Sequence, residues 1–251
     1  MSVRFTKVGI QRELHFEWFD QAARLFGSGI SKKDVRQEIY RYLENAPGFA
    51  TPPSLQSKTY IANALIKTWI DPEPELASLR DSAFRLFKDF STKRIVIHWC
   101  LLGAAYPFWF EVAAKIGRLL NLQDQVTQTQ VVLRLKEIYG DRQTISRRAR
   151  YVIRSFVSWR ILKDSETKGC YEKADPMSIT DENMAILMLE SALLATPEGN
   201  GALRLLLNNP AFFPFHLPVM TGDFVSQRSE RIDVVRYGLD DELLRLKDQQ
   251  K

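Results

Sequence analysis

Apolar residues recur at three- and four-residue spacing along most of the chain, which predicts a mostly α fold. Leu14, Trp18, Ala22 and Leu25 form one stripe between Glu13 and Phe26, and the glycines at 27 and 29 end it. Ser31, three residues ahead of Asp34, reads as the N-cap of a helix through Val35, Ile39, Tyr42 and Leu43. Its prolines make Ala46 to Pro53 a loop, after which Ser54 to Trp69 carries Ile61, Leu65 and Trp69 on one side. Leu76 to Phe90 adds a helix with Leu79, Phe84 and Phe87 for packing. Short helices at this spacing predict a helix-turn-helix-like bundle over residues 1–90. Lys58, Asn63 and Lys67 would face outward there, as secondary DNA contacts or as ordinary solvated side chains.

From Ser91 the chain is at its most apolar, and Pro107 divides the run into helices Lys93 to Ala105 and Phe108 to Leu122. The stretch between Arg94 and Glu111 is shorter than the ~20 residues of a membrane span and contains His98 and Pro107, so it reads as buried core. After a polar connection, Thr127 caps a helix bearing Val131, Val132, Leu135 and Ile138. Gly140 and Asp141 end that helix, and Thr144 caps the next, which runs to Ile161. At about 100° per residue, Ile145, Ala149, Val152, Ile153, Phe156 and Trp159 fall on one side and Arg147, Arg150, Arg154 and Ser158 opposite. Ile161 to Tyr171 then reads as a hairpin with a polar tip closed by Gly169. Three helices followed by a hairpin predict a winged-helix unit over 91–178.

The remainder, 179–251, is expected to be a helical extension with a short strand. Thr180 would cap a helix to Leu194, with Asp181 and Glu182 suiting its dipole and Met184 and Met188 packing. Leu203 to Leu207 forms a short helix. Asn209 to Val219 is dense in proline and aromatics, and is either an ordered packing segment or a partner-docking surface through Phe212, Phe213 and Phe215. Ile232, Val234 and Arg236 alternate as a strand before a charged helix from Asp240. Such a strand needs a mate: the hairpin, the segment Val3 to Val8, or a second copy in a homo-oligomer.

Charge changes the picture locally more than globally. The net charge of +5 over 251 residues is modest, but no Asp or Glu occurs from Arg142 through Lys163 while seven Arg or Lys do. Such a field suits a polyanion. Arg147 and Arg150 would meet bases or phosphates, and Arg154 a phosphate. Lys163 and Lys168 would grip the flanking backbone from the hairpin. Thr144, Ser146 and the free amides of the helix start add phosphate donors, and Arg142 and Arg148 complete the set. The expected partner is double-stranded DNA; a helical scaffold binding a protein through the aromatic segment is the alternative.

Catalytic signals are weak. The sequence has no Gly-rich phosphate loop or nucleophile elbow, and His15, His98 and His216 are scattered, so neither enzyme, cofactor nor metal is expected. Cys100 and Cys170 lie far apart, and the first residues lack the apolar core of a signal peptide, which points to reduced thiols in a cytoplasmic protein with no membrane span.

Between Tyr106 and Pro218 the chain resembles the BrxA family, small helical accessory proteins of BREX bacteriophage-defence systems. The likeness is carried by YPFWFE at Tyr106 to Glu111, TISRRAR at Thr144 to Arg150, the apolar helix end before the hairpin, and NPAFFP at Asn209 to Pro214. It implies a helical, DNA-binding protein with winged-helix character that works with other defence-complex proteins. Arg147, Arg150 and Arg154 match the family's basic recognition helix. The N-terminal region and the strand-bearing tail lie outside the resemblance.

Overall fold

The structure is a computed structural model that describes residues 3–237 and 241–247. Its N-terminal part consists of α1 (Phe16–Gly27), α2 (Lys32–Glu44), α3 (Leu55–Leu65), a π-helical turn (Ile66–Ile70), α4 (Ala77–Asp89), α5 (Arg94–Ala105) and α6 (Pro107–Leu120). Next come β1 (Gln125–Thr127), α7 (Gln128–Tyr139), α8 (Gln143–Ser158), β2 (Leu162–Asp164), β3 (Cys170–Lys173) and β4 (Met177–Ser178). The chain continues with α9 (Glu182–Leu194), β5 (Asn200–Ala202), α10 (Leu203–Leu207), β6 (Phe215–His216), α11 (Gly222–Arg228), β7 (Ile232–Tyr237) and β8 (Asp241–Leu246). The fold is mostly α, with three small sheets among the described residues.

Two helices without a polar face form its axis. Every residue of α5 from Val96 to Ala105 is buried, as is every residue of α9 from Met184 to Leu194. A helix apolar all round has to be enclosed, and α5 and α9 enclose each other, with Ser191 Oγ donating to the Cys100 carbonyl at 2.8 Å. Tyr106, forced out of helical geometry by Pro107, turns the chain 115° between α5 and α6. Among the described residues no single helix is long and apolar enough to cross a membrane, and the bent pair α5–α6 is packed inside the fold.

Trp99 of α5 meets Trp109 of α6, Phe156 of α8, Trp159, Phe213 and Phe215, all within 6.5 Å between ring centroids. Buried side chains from Ile10 to Leu244 form one continuous cluster. The segments 1–90, 91–178 and 179–251, expected as separate domains, therefore share a single core.

The first sheet is antiparallel in the order β1-β3-β2, with Val126 opposite Tyr171 and Lys163 opposite Glu172. Its outer strand β1 lies in the stretch expected to be only a polar connection. It leads directly into α7, whose N-terminus is closed by a capping box between Thr127 and Gln130. The second sheet pairs β4 with β6 in parallel. In the third, β8 lies between β5 and β7, with Leu244 opposite both Gly201 and Val234. The charged helix expected from Asp240 is thus corrected to a strand over 241–246. Its two neighbours satisfy its backbone on both sides, and Leu244 at 0 % exposure anchors it in the core. Asp240 itself and residues 248–251 of that expectation lie outside the described residues. The mate sought for Ile232 to Arg236 is this same tail, not the first hairpin, Val3 to Val8 or a second copy.

Two helix boundaries also move. Asp181, whose carboxylate accepts from the Met184 amide at 2.8 Å, caps α9 in place of Thr180, whose hydroxyl accepts from Lys93 instead. The arginine-bearing helix starts at Gln143, not Thr144, and ends at Ser158, three residues short of Ile161. Arg160 adopts a left-handed φ of 58°, and the amides of Arg160 and Ile161 bond back to the carbonyls of Val157 and Phe156 at 2.9 and 2.8 Å. That is a Schellman closure made without glycine.

Candidate nucleic-acid interface

Helix α8 owes its placement to its inner face. Ile145, Ala149, Val152, Ile153 and Phe156 are each 0 % exposed, and Ser155 is buried beside them. The opposite face is therefore turned outward. Arg147 and Arg150 are exposed, Arg148 is half-buried, and none of the three has a carboxylate within ion-pair distance among the described residues. Burial is the main influence holding the Arg148 pKa below its ordinary value, and repulsion from Arg147 and Arg12 adds to it. This is a cation cluster without internal neutralisation, unlike Arg4, Arg41, Arg80 and Arg94, which all sit against acids.

At the N-terminus of α8, Arg142 is exposed and donates through Nη2 to the Tyr139 carbonyl at 2.8 Å. No side chain caps this end, so its first amides point outward with Thr144 exposed and Ser146 half-buried alongside. Lys163 on β2 and Lys168 in the β2–β3 connection are exposed, and Gly169 closes that turn at φ 82°.

Arg154 departs from its expected role on phosphate. Its Nη1 donates to both oxygens of Asp164 on β2, at 2.7 and 2.9 Å, and this hydrogen bonding raises its pKa. Arg154 braces the hairpin against α8. The acid-free run ends one residue too early to reveal that partner.

The secondary candidates lie elsewhere and are all engaged. Lys58 pairs with Glu44 at 3.1 Å, Asn63 accepts from Arg36 at 2.9 Å, and Lys67 pairs with Glu73 at 2.8 Å. The aromatic segment expected as an alternative docking surface is interior. Phe212, Phe213 and Phe215 are 2 %, 6 % and 5 % exposed, packed on Phe110, Trp99 and Phe156. Their apolar area is used within the molecule, which corrects the docking expectation.

Buried reactive groups elsewhere are satisfied by neighbours. His98 accepts from Trp69 Nε1 at 3.1 Å and bonds Asp20 at 2.9 Å, and burial pushes the Cys100 thiol pKa up. Among the described residues no group of three or more His, Cys, Asp or Glu is placed to hold a metal ion. Sequence reasoning missed Arg12, which the fold brings beside Arg148. No family model, curated protein or solved structure matches the chain.

Proposed function

We propose that this protein is a non-enzymatic binder of double-stranded DNA that contacts the duplex through α8 and the β2–β3 hairpin. The observation that carries the reading is the group Arg147, Arg148 and Arg150, left without acidic partners among the described residues on the outward face of a helix rooted in the core. Guanidinium groups in that state gain most from phosphate, since binding replaces mutual repulsion with charge-assisted hydrogen bonds. The surrounding order supports the choice of duplex DNA. It runs helix α6, strand β1, helices α7 and α8, then strands β2 and β3 in a β1-β3-β2 sheet, as in a winged helix. In that arrangement α8 is the recognition helix, and Lys163 and Lys168 flank it from the wing. The phosphate-led character of the cluster favours weakly sequence-selective binding.

Fluorescence anisotropy with labelled duplex, single-stranded DNA and RNA at low salt tests the reading. The wild type should bind duplex, and R147A/R148A/R150A should lose that binding, together with about three units of the dependence of log K on log salt. Arg154 is left intact because it holds the hairpin. A wild type that gives no signal with duplex at low salt overturns the proposal, and a preference for RNA redirects it. Service in phage defence rests on the resemblance to the BrxA family; a methyltransferase and a large ATPase encoded beside the gene would support it.

A further inference from the structure

Residues 10–15 run as a strap along the flank of α8 and are fastened to it. The Leu14 amide donates to Ser155 Oγ at 2.8 Å, and the Leu14 carbonyl accepts from Trp159 Nε1 at 2.8 Å and Ser158 Oγ at 3.4 Å. Ile10 and Leu14, each 1 % exposed, root the strap in the core. Between them Arg12 is half-buried and held by neutral groups only. Its Nε donates to Ser57 Oγ at 3.1 Å, its Nη1 to the Gln11 carbonyl at 2.8 Å, and its guanidinium lies 4.9 Å from the centroid of the Tyr60 ring. No carboxylate among the described residues pairs with it, and Nη2 is free to donate. The strap, the start of α3 and the Gly48–Phe49 turn line an open groove opposite Arg150, Tyr151 and Arg154; its one carboxylate among the described residues, Glu13, lies 3.6 Å from His15 and is not paired with Arg12.

A cation beside other cations is unfavourable unless something orients or neutralises it. Here the fold supplies orientation, through a hydroxyl, a carbonyl and an aromatic face, and gives Arg12 no ion pair among the described residues. Arg12 is also close enough to Arg148 to add to the repulsion that disfavours the Arg148 charge. A single anionic chain lying along α8 would relieve both.

We infer that Arg12, oriented by Ser57 and Tyr60 of α3, extends the cationic surface of α8 across the strap and holds the phosphate backbone of the bound nucleic acid. The inference rests on the duplex-binding reading of α8. It makes the site composite: α8 and the hairpin on one side, the N-terminal region on the other.

The test is anisotropy with a labelled duplex over roughly 50 to 200 mM salt, comparing wild type, R12Q, R12K and R204A. Gln at 12 keeps a donor for Ser57 but no charge, Lys keeps the charge, and Arg204 is an exposed arginine on α10 with no acidic partner among the described residues, a control for net charge alone. R12Q should weaken binding severalfold and lower the salt slope by about one, R12K should retain the slope, and R204A should match wild type. Thermal unfolding of R12Q close to that of wild type confirms an intact strap. If wild type binds, the α8 triple variant does not, and R12Q behaves like R204A, the composite site is overturned while the α8 reading stands. If wild type does not bind duplex at all, both fall together.

Discussion

Two buried groups tie the stability of this fold to pH in opposite senses. Trp69 Nε1 donates to His98 Nδ1, so that nitrogen carries no proton and Nε2 donates to Asp20, whose second oxygen takes Arg94 at 3.0 Å. Protonating His98 would set two donors against each other at Nδ1. Burial holds its pKa below the ordinary 6.5 although Asp20 pulls the other way. The unfolded chain therefore takes up a proton that the folded one refuses, and stability present above pH 6.5 is lost as pH falls below it. Glu190 is the reverse case. Burial raises its carboxyl from 4.5 to about 7 even with Arg231 Nη2 at 2.6 Å. The folded state then holds a proton that the unfolded one releases, which favours folding as pH drops through that window. Urea unfolding at about pH 7 and about pH 5 separates the two. Glu190→Gln should lose more stability than wild type over that fall, and His98→Gln should lose less. His15, whose pKa burial also lowers, contributes equally to all three proteins and cancels. Equal pH slopes for the three would show that these groups do not carry the linkage. At this scale the sequence was informative where spacing alone decides, as for Arg147 and Arg150 opposite Ile145 and Phe156. It was silent on Asp164 beside Arg154 and on Arg12 beside Arg148, because those pairs are made by tertiary approach.

Elements were legible where the sequence punctuates them, at Ser31, Pro107 and Thr127, whose chemistry acts within one turn. The end of α8 was not, because Arg160 occupies a left-handed position where glycine is the usual signal. β8 was missed because DELLRL suits a helix until β5 and β7 offer it hydrogen bonds from both sides. One close approach between elements gives a direct test. Helix α6 lies so near the turn Pro210–Phe212 that a Cβ at Gly117 would fall within the Pro210 carbonyl, 2.8 Å from its carbon and 3.0 Å from Phe213 Cβ. Alanine would gain about 1 kcal/mol of helix propensity, but relieving the overlap means moving backbone. Overpacking typically costs about 1–3 kcal/mol, and a Cβ driven onto a backbone oxygen belongs at the upper end, so Gly117→Ala should destabilise by about 2 kcal/mol net, read as a lowered urea midpoint at unchanged slope. A midpoint at or above that of wild type would mean that α6 and the turn are not in contact in solution.

At the scale of the whole molecule, the decisive fact is that α8 is held by all three thirds of the chain. Phe16 and Phe19 of α1 lie 6.0 and 5.6 Å from Trp159, Trp99 of α5 lies 4.8 Å from Phe156, and Phe213 lies 6.2 Å from both Trp99 and Phe156. Aromatic pairs add about 0.5–1.5 kcal/mol each beyond area burial, so removing either flank costs residues 91–178 several such pairs and exposes the inner face of α8 to water. The three segments expected from the order of helices and hairpin share one core, since the apolar run at 91–111 draws residues from both ends of the chain around it, and they should not fold independently. Calorimetry of the full chain should give a single transition with calorimetric and van't Hoff enthalpies in agreement. A fragment limited to residues 91–178 should fail to fold, with low dispersion in its amide spectrum and exposed apolar surface that binds a hydrophobic dye. Two resolved transitions, or a well-folded fragment with duplex affinity of its own, would restore the modular view and remove the strap from the binding surface. With a shared core, the alignment of Arg12 with Arg148 is fixed by the packing of Leu14 against α8. The cationic surface then exists only when the whole chain is folded.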